Sequence, residues 1–146
     1  MSAPSSTAAP CFIDTNIWLY AFIVSSDPQK SAAAQAVIRS EPHVVVSTQV
    51  INEIVVNLLK KAAFAEDDLR KLITSFYSRY QVIELDRMSL LYASELREAH
   101  HLSFWDSLIV ASALVAGASK LYSEDMHDGL VVEGRLTIIN PLNLAS

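Results

Sequence analysis

Cys11-Phe12-Ile13-Asp14-Thr15-Asn16-Ile17 is the stretch whose reading decides the fold. Cys11-Phe12-Ile13 is a short apolar run that reads as a buried strand. Asp14-Thr15-Asn16 are cap-type residues, and an apolar helical run from Ile17 to Val24 follows them. The same handover recurs along the chain. Ser26-Asp27-Pro28 opens a helix to about Arg39, and Pro42 breaks it. His43 to Val46 is a β-branched strand, and Ser47 caps a helix to about Ala63. Glu66 to Ser78 reads as helix and Tyr80 to Leu85 as strand. Asp86 is placed to cap a helix from Met88 to His100, and Ser103 to cap one from Phe104 to Ala116, which Gly117 ends. Leu121-Tyr122 and Leu136 to Ile139 are the closing strands, before Asn140-Pro141. Short apolar strands alternating with helices predict an α/β fold whose mostly parallel sheet is covered by helices on both faces.

Bulk properties narrow the function classes. At 146 residues, 51% apolar and 18% charged, the chain has the length and composition of one globular domain. Residues 11–146 contain no repeat or linker and are expected to form that domain. Residues 1–10, small, polar and proline-bearing, read as a flexible arm without the basic start and apolar block of a secretory signal. The single cysteine, Cys11, permits neither an internal disulfide nor a thiolate metal cluster. That suits a reducing, cytoplasmic setting. The uncharged stretch from Ser107 to Ser119 is shorter than the roughly 20 residues a membrane span needs, so it reads as a buried helix. The three glycines, Gly117, Gly129 and Gly134, form no phosphate-cradling loop. No zinc-ligand spacing and no nucleophile elbow are present. The net charge of −5 argues against nucleic-acid binding through a broad basic surface.

Four carboxylates stand out, each with a plain structural alternative. Asp14 directly follows the first strand and Asp125 follows Leu121-Tyr122, where open α/β sheets place their sites. Asp14 is equally a helix cap, unless Asn16 takes that role. Glu53 shares a spacing of four with Gln49 and Asn57, the pattern of a solvated helix face. Asp106 fits a capping box with Ser103. It also heads a stripe containing Ile109, Val110 and Ala113 in a helix with no polar face. A carboxylate there has to be paired, protonated or bound to a cation. Asp125 lies in the turn Ser123-Glu124-Asp125-Met126-His127-Asp128-Gly129, and residue chemistry does not choose among its three acids. The Met, Trp and Tyr side chains fall at helical spacings and are expected in the core.

In order and spacing these motifs resemble those of PIN domains. Phe12-Ile13-Asp14-Thr15-Asn16-Ile17 resembles their opening motif, and Glu53 their helical glutamate. Phe104-Trp105-Asp106-Ser107-Leu108-Ile109-Val110-Ala111-Ser112-Ala113 resembles their third-acid helix. Leu121-Tyr122-Ser123-Glu124-Asp125-Met126 resembles their final acid motif and selects Asp125 within its turn. Thr15, Asn16 and Ser123 align with supporting positions. The compact length is similar to VapC-type toxins of bacterial toxin–antitoxin pairs. The resemblance implies a three-layer α/β/α fold and cleavage of RNA dependent on magnesium or manganese, with one or two ions per site. It also implies a homodimer and a small antitoxin partner.

The chemistry accounts for the residue types. Hard divalent cations select oxygen ligands, so carboxylates suit them where His or Cys would not. Asp14 and Asp106 are the expected direct ligands. Asp125 would bind directly or through water, and Glu53 would position water or hold a second ion. Hydrolysis by water would leave 5′-phosphate and 3′-hydroxyl ends without a covalent enzyme intermediate. Two other classes compete, a catalytically silent interaction module of the same fold and a nuclease acting on DNA. A haloacid-dehalogenase-type phosphatase would need a second aspartate where this chain has Asn16. A receiver domain would need an aspartate ending a middle strand and a later lysine at a strand end.

Overall fold

β1 (Cys11–Ile13) runs through the middle of the sheet, and all three of its residues are buried. The computed structural model describes residues 9–23, 27–61 and 64–143. After β1 the chain forms α1 (Thr15–Phe22), α2 (Pro28–Ser40), β2 (Val44–Ser47), α3 (Thr48–Lys61) and α4 (Glu66–Arg79). It continues through β3 (Gln81–Ile83), α5 (Arg87–His100), α6 (Phe104–Val115), β4 (Lys120–Tyr122), β5 (Val131–Val132) and β6 (Leu136–Ile139). The strand order is β3-β2-β1-β4-β6-β5, and every pairing is parallel except β5 with β6. Neighbouring residues of a strand face opposite sides of the sheet. Complete burial of β1 and β2 therefore means that both faces are covered, as the α/β reading requires.

Local chemistry sets the helix ends. Asp27, Asp86 and Ser103 each accept a backbone N–H from three residues on, satisfying donors that the helix leaves open. At the end of α6 the chain closes a Schellman motif. Gly117 takes φ +76°, its N–H reaches Leu114 O, and Ala118 N–H reaches Ala113 O. α1 starts at Thr15, two residues before the expected start, because Asp14 and not Asn16 is its cap. The expected helix ends at Val24 and Ala63, the opening Ser26, and residues 1–8 of the expected arm lie outside the described residues.

β5 was not expected from the sequence. It pairs with β6 through a tight turn in which Glu133 and Gly134 both have positive φ, 54° and 67°, and Arg135 N–H bonds to Val132 O. Positive φ at both residues is what tight hairpin turns require, and three residues separate Val132 from its partner Leu136. Elsewhere the core is apolar, and Trp18 locks α1 onto it. Its indole N–H donates to Ile13 O at 3.0 Å. Its ring meets Phe76 edge-on at 4.9 Å and tilts against Tyr80 at 5.2 Å.

The topology also fixes where a site can form. From β1 the chain builds outward to β2 and β3, then returns to place β4 on the other side of β1. The crevice beyond the carboxyl ends of β1 and β4 is the switch point of the sheet, where open α/β folds bind ligands. The backbone closes it tightly, with Asp14 N–H donating to Tyr122 O at 2.9 Å.

Candidate functional site

Asp14 sits at that switch point and has two attachments. One carboxylate oxygen accepts the Thr15 N–H at 2.8 Å, and the other accepts the Ser123 hydroxyl at 3.0 Å. Capping and facing the crevice are therefore the same position. Burial pushes the Asp14 carboxyl up to about 6, against the pull of Thr15 and Ser123, and the nearby charges of Glu53 and Asp106 add to the rise.

The other three acids arrive from different elements. α3 begins immediately after β2, so its first turns lie at the carboxyl edge of the sheet and bring Glu53 to the crevice. Thr15 donates its hydroxyl to Glu53 Oε1 at 2.5 Å, joining α1 to α3. Gln49 approaches Glu53 Oε2 at 3.4 Å, and the Asn57 amide bonds to the Glu53 carbonyl at 2.8 Å. Asp106 lies in the first turn of α6, whose start is at the same edge because β4 follows its end. Only the Ser103 half of the expected capping box forms, so the Asp106 carboxylate is not spent on it. Asp125 follows β4 and accepts from the Asn16 amide at 2.8 Å. Burial raises its carboxyl, and Glu124 and Asp106 add to the rise while Asn16 opposes it.

Asp14, Glu53, Asp106 and Asp125 all line one cleft of about 290 Å³. Among the described residues, however, no three of His, Cys, Asp and Glu converge into a ready coordination cluster. The acids border the cleft and do not meet at a point. Their donor chemistry still fits a hard divalent cation. Every candidate ligand is a carboxylate oxygen, and among the described residues no lysine or arginine lines the cleft to neutralise them. Two carboxylates about 5 Å apart repel by roughly 3 kcal/mol at an effective dielectric near 20. A group of four therefore favours uptake of a cation or protons.

The model of the family described as "PIN domain" matches residues 11–127. The chain belongs to the PIN domain family. A search of curated proteins by sequence gives no match. Among solved structures, this PIN domain is similar to a chain of a toxin–antitoxin complex from Klebsiella pneumoniae, with TM-score 0.66 and 20% identity over 90% of this chain and 97% of that one. It is also similar to VapC20 of Mycobacterium tuberculosis, described as a sarcin–ricin loop cleaving toxin, with TM-score 0.65 and 21% identity over 79% and 89%. A third is a chain of VapBC2 from Rickettsia felis bound to promoter DNA, at TM-score 0.57 and 19% identity over 80% and 88%. At these identities the likeness is one of fold.

In this PIN domain the crowded turn after β4 separates its acids. Glu124 pairs with Lys30 at 2.8 Å, and Asp128 accepts the Asn140 N–H at 2.8 Å, holding the turn. Asp125 alone of the three lines the acid cleft. Four lining residues, Gln49, Asn57, Trp105 and Ile109, are not among the sequence candidates for the site. Gln49 and Asn57 were read with Glu53 as a solvated face, but that stripe faces the cleft. Trp105 was expected in the core and is 61% exposed at the cleft wall. Its position in the opening turn of α6 carries it off the face that packs on the sheet.

Proposed function

We propose that this PIN domain is a divalent-metal-dependent endoribonuclease, the toxin of a toxin–antitoxin pair, with Asp14, Glu53, Asp106 and Asp125 as its catalytic and metal-binding acids. The observation that carries the proposal is that four carboxylates from four separate segments line one cleft at the switch point of the sheet. When bound, magnesium or manganese would stabilise charge on the phosphate and lower the pKa of a water. The chain's own groups have distinct duties. Ser123 and the Thr15 N–H orient Asp14, leaving its remaining lone pairs toward the cleft. Asp106, without a protein hydrogen bond to its carboxylate among the described residues, is the second direct ligand. Asn16 steers Asp125, as a direct or water-bridged ligand. The Thr15 hydroxyl aims Glu53, which would orient the attacking water or hold a second ion.

The products would be 5′-phosphate and 3′-hydroxyl ends. The antitoxin partner is supported by the structural relatives that are chains of toxin–antitoxin complexes. A homodimer belongs to the same proposal and is supported by the exposed Met88, Leu90 and Leu91 on α5. Light scattering across concentrations would detect it. No helix among the described residues is long and apolar enough to cross a membrane.

The test is cleavage of total RNA and of single-stranded DNA with manganese, with magnesium and with excess chelator. Wild type should cut RNA only with a divalent ion, and Asp14→Asn should lose cleavage by at least about 100-fold while remaining folded. Undiminished cleavage in chelator, or full activity in the variant, would remove the proposal. Cleavage of DNA in preference to RNA would reassign the substrate. Metal-titration calorimetry without heat from either ion, together with no cleavage, would favour a silent module.

A further inference from the structure

The groove does not stop at the acids. A second cavity of about 430 Å³ opens beside the first, and the two share Gln49, Glu53 and Trp105. A strand with its phosphate at the acids that continues into this second cavity would pass Trp105. Trp105 is an unusual side chain in that place. Trp18 is fully buried with its N–H satisfied, whereas Trp105 is 61% exposed at the junction of two cavities. A large apolar ring left in water beside a polar cleft is a surface that gains by being covered. The ring is also braced. Phe104 meets it edge-on at 5.0 Å, the Arg97 guanidinium lies 4.9 Å from the Phe104 ring, and Arg97 is anchored on Ser107 Oγ at 2.8 Å.

Gln49 provides an independent observation. Glu53 can only accept hydrogen bonds when ionised, so the Gln49 amide must turn its NH₂ toward Glu53 and its carbonyl away. That carbonyl, Gln49 Oε1, is the one buried side-chain polar atom without a hydrogen-bond partner among the described residues. A buried acceptor left unpaired is unfavourable, and it asks for a donor. The shared groove thus presents an open aromatic ring, and an unmet acceptor lies buried in its Gln49 wall, reached once that side chain turns outward. A nucleobase has the matching pair of features, a π-face and an edge carrying N–H donors.

We propose that Trp105 and Gln49 seat one nucleobase beside the scissile phosphate, Trp105 by stacking on its face and Gln49 by turning its buried Oε1 outward to accept an N–H from the base edge. The inference rests on the nuclease reading above and adds a positioning function to it. Stacking tolerates any base, and the Gln49 acceptor favours a base that presents a donor.

Fluorescence tests it directly, because Trp18 is buried and Trp105 is exposed. The wild-type chain, with calcium in place of manganese to hold back turnover, is titrated with a short mixed-sequence single-stranded RNA and with DNA of the same sequence. Emission should be quenched on binding. Trp105→Ala should abolish the quench and weaken binding about 10- to 100-fold, and Trp105→Phe should retain most of the affinity. Tyr77→Ala, which removes an exposed ring on α4, should change neither. Abasic substitutions along the oligonucleotide should weaken wild type at one position, and the same substitution should have no effect in Trp105→Ala. In cleavage assays the Trp105→Ala loss should fall mainly on KM. A loss seen with RNA or with DNA supports the seat, since stacking does not read the 2′-hydroxyl. Wild-type binding and cleavage matched by Trp105→Ala in Kd and KM would overturn the seat and leave the nuclease reading standing. A wild type that neither binds nor cleaves would remove both.

Discussion

Asp14 carries two duties that pull against each other. As a cap it contributes to α1, and an asparagine there would cap about as well. As a buried carboxylate it is held in a site that prefers it protonated, with its pKa raised from 3.8 to about 6. The folded chain then binds this proton more tightly than the unfolded chain does. Folding stability without metal should fall as pH rises between the usual carboxylate value and about 6, by up to about 3 kcal/mol, and level off above it. Asp14→Asn carries no such charge. In chelator it should be more stable than wild type near pH 7, and the difference should close toward pH 4. Manganese should then raise the stability of wild type but not of the variant. Urea denaturation at the two pH values measures both effects, and equal stability at neutral pH would show that Asp14 bears no burial penalty. The sequence made this residue legible because a carboxylate directly after an apolar strand has few other places to be. It did not separate the cap from the acid, since one position serves both. Trp105 was illegible for a different reason: helical spacing says that a side chain lies on a helix and not which turn has cleared the sheet.

At the scale of elements, the legible features were those set by local chemistry. Asp27, Asp86, Ser103 and Gly117 mark helix ends by hydrogen bonds within a turn, and each acts where the sequence placed it. β5 was missed because two residues carry no alternation and Glu133-Gly134 is not the usual Asn-Gly or Asp-Gly turn pair. The polar face of α3 is ambiguous in sequence because its direction is decided by what packs on the opposite side, Val50, Ile54 and Leu58. Long-range clips are equally invisible in sequence. Glu41, between α2 and β2, accepts the Lys120 ammonium at 2.8 Å and the Tyr122 hydroxyl at 2.5 Å. Burial pushes its carboxyl up, and these two bonds hold it below the ordinary value overall. Burial and the Glu41 carboxylate in turn push the Tyr122 hydroxyl up to about 12. Glu41→Ala leaves the Tyr122 hydroxyl unpaired and should destabilise the fold by about 1–3 kcal/mol. Metal affinity at the cleft should not change, because Glu41 lies at the other end of the strands. Chemical denaturation with metal-titration calorimetry checks the pair, and a shift in metal affinity would mean that the two ends of the sheet are coupled.

The whole molecule is acidic, and that constrains how it can hold a polyanion. Of the net −5, the cleft acids account for most, and the other acids nearly balance the 11 lysines and arginines. Several of those bases are already engaged, Lys30 with Glu124, Lys120 with Glu41, and Arg70 and Lys71 with Asp67. Among the described residues, none of them lines the acid cleft. A nuclease that grips its substrate through a basic surface releases many counterions, and its affinity falls about 10³- to 10⁵-fold between roughly 50 and 200 mM salt. This chain should behave otherwise. Affinity for RNA should depend on a divalent cation and on stacking, neither of which scales with the number of phosphates covered. A plot of log Kd against log monovalent salt, at fixed calcium, should have a slope near that of about one or two phosphate contacts. In chelator, binding should be too weak to measure. A steep slope, equivalent to about six or more contacts, would locate the substrate on a basic face away from the acids, such as the one where Arg70, Lys71 and Arg79 lie together on α4.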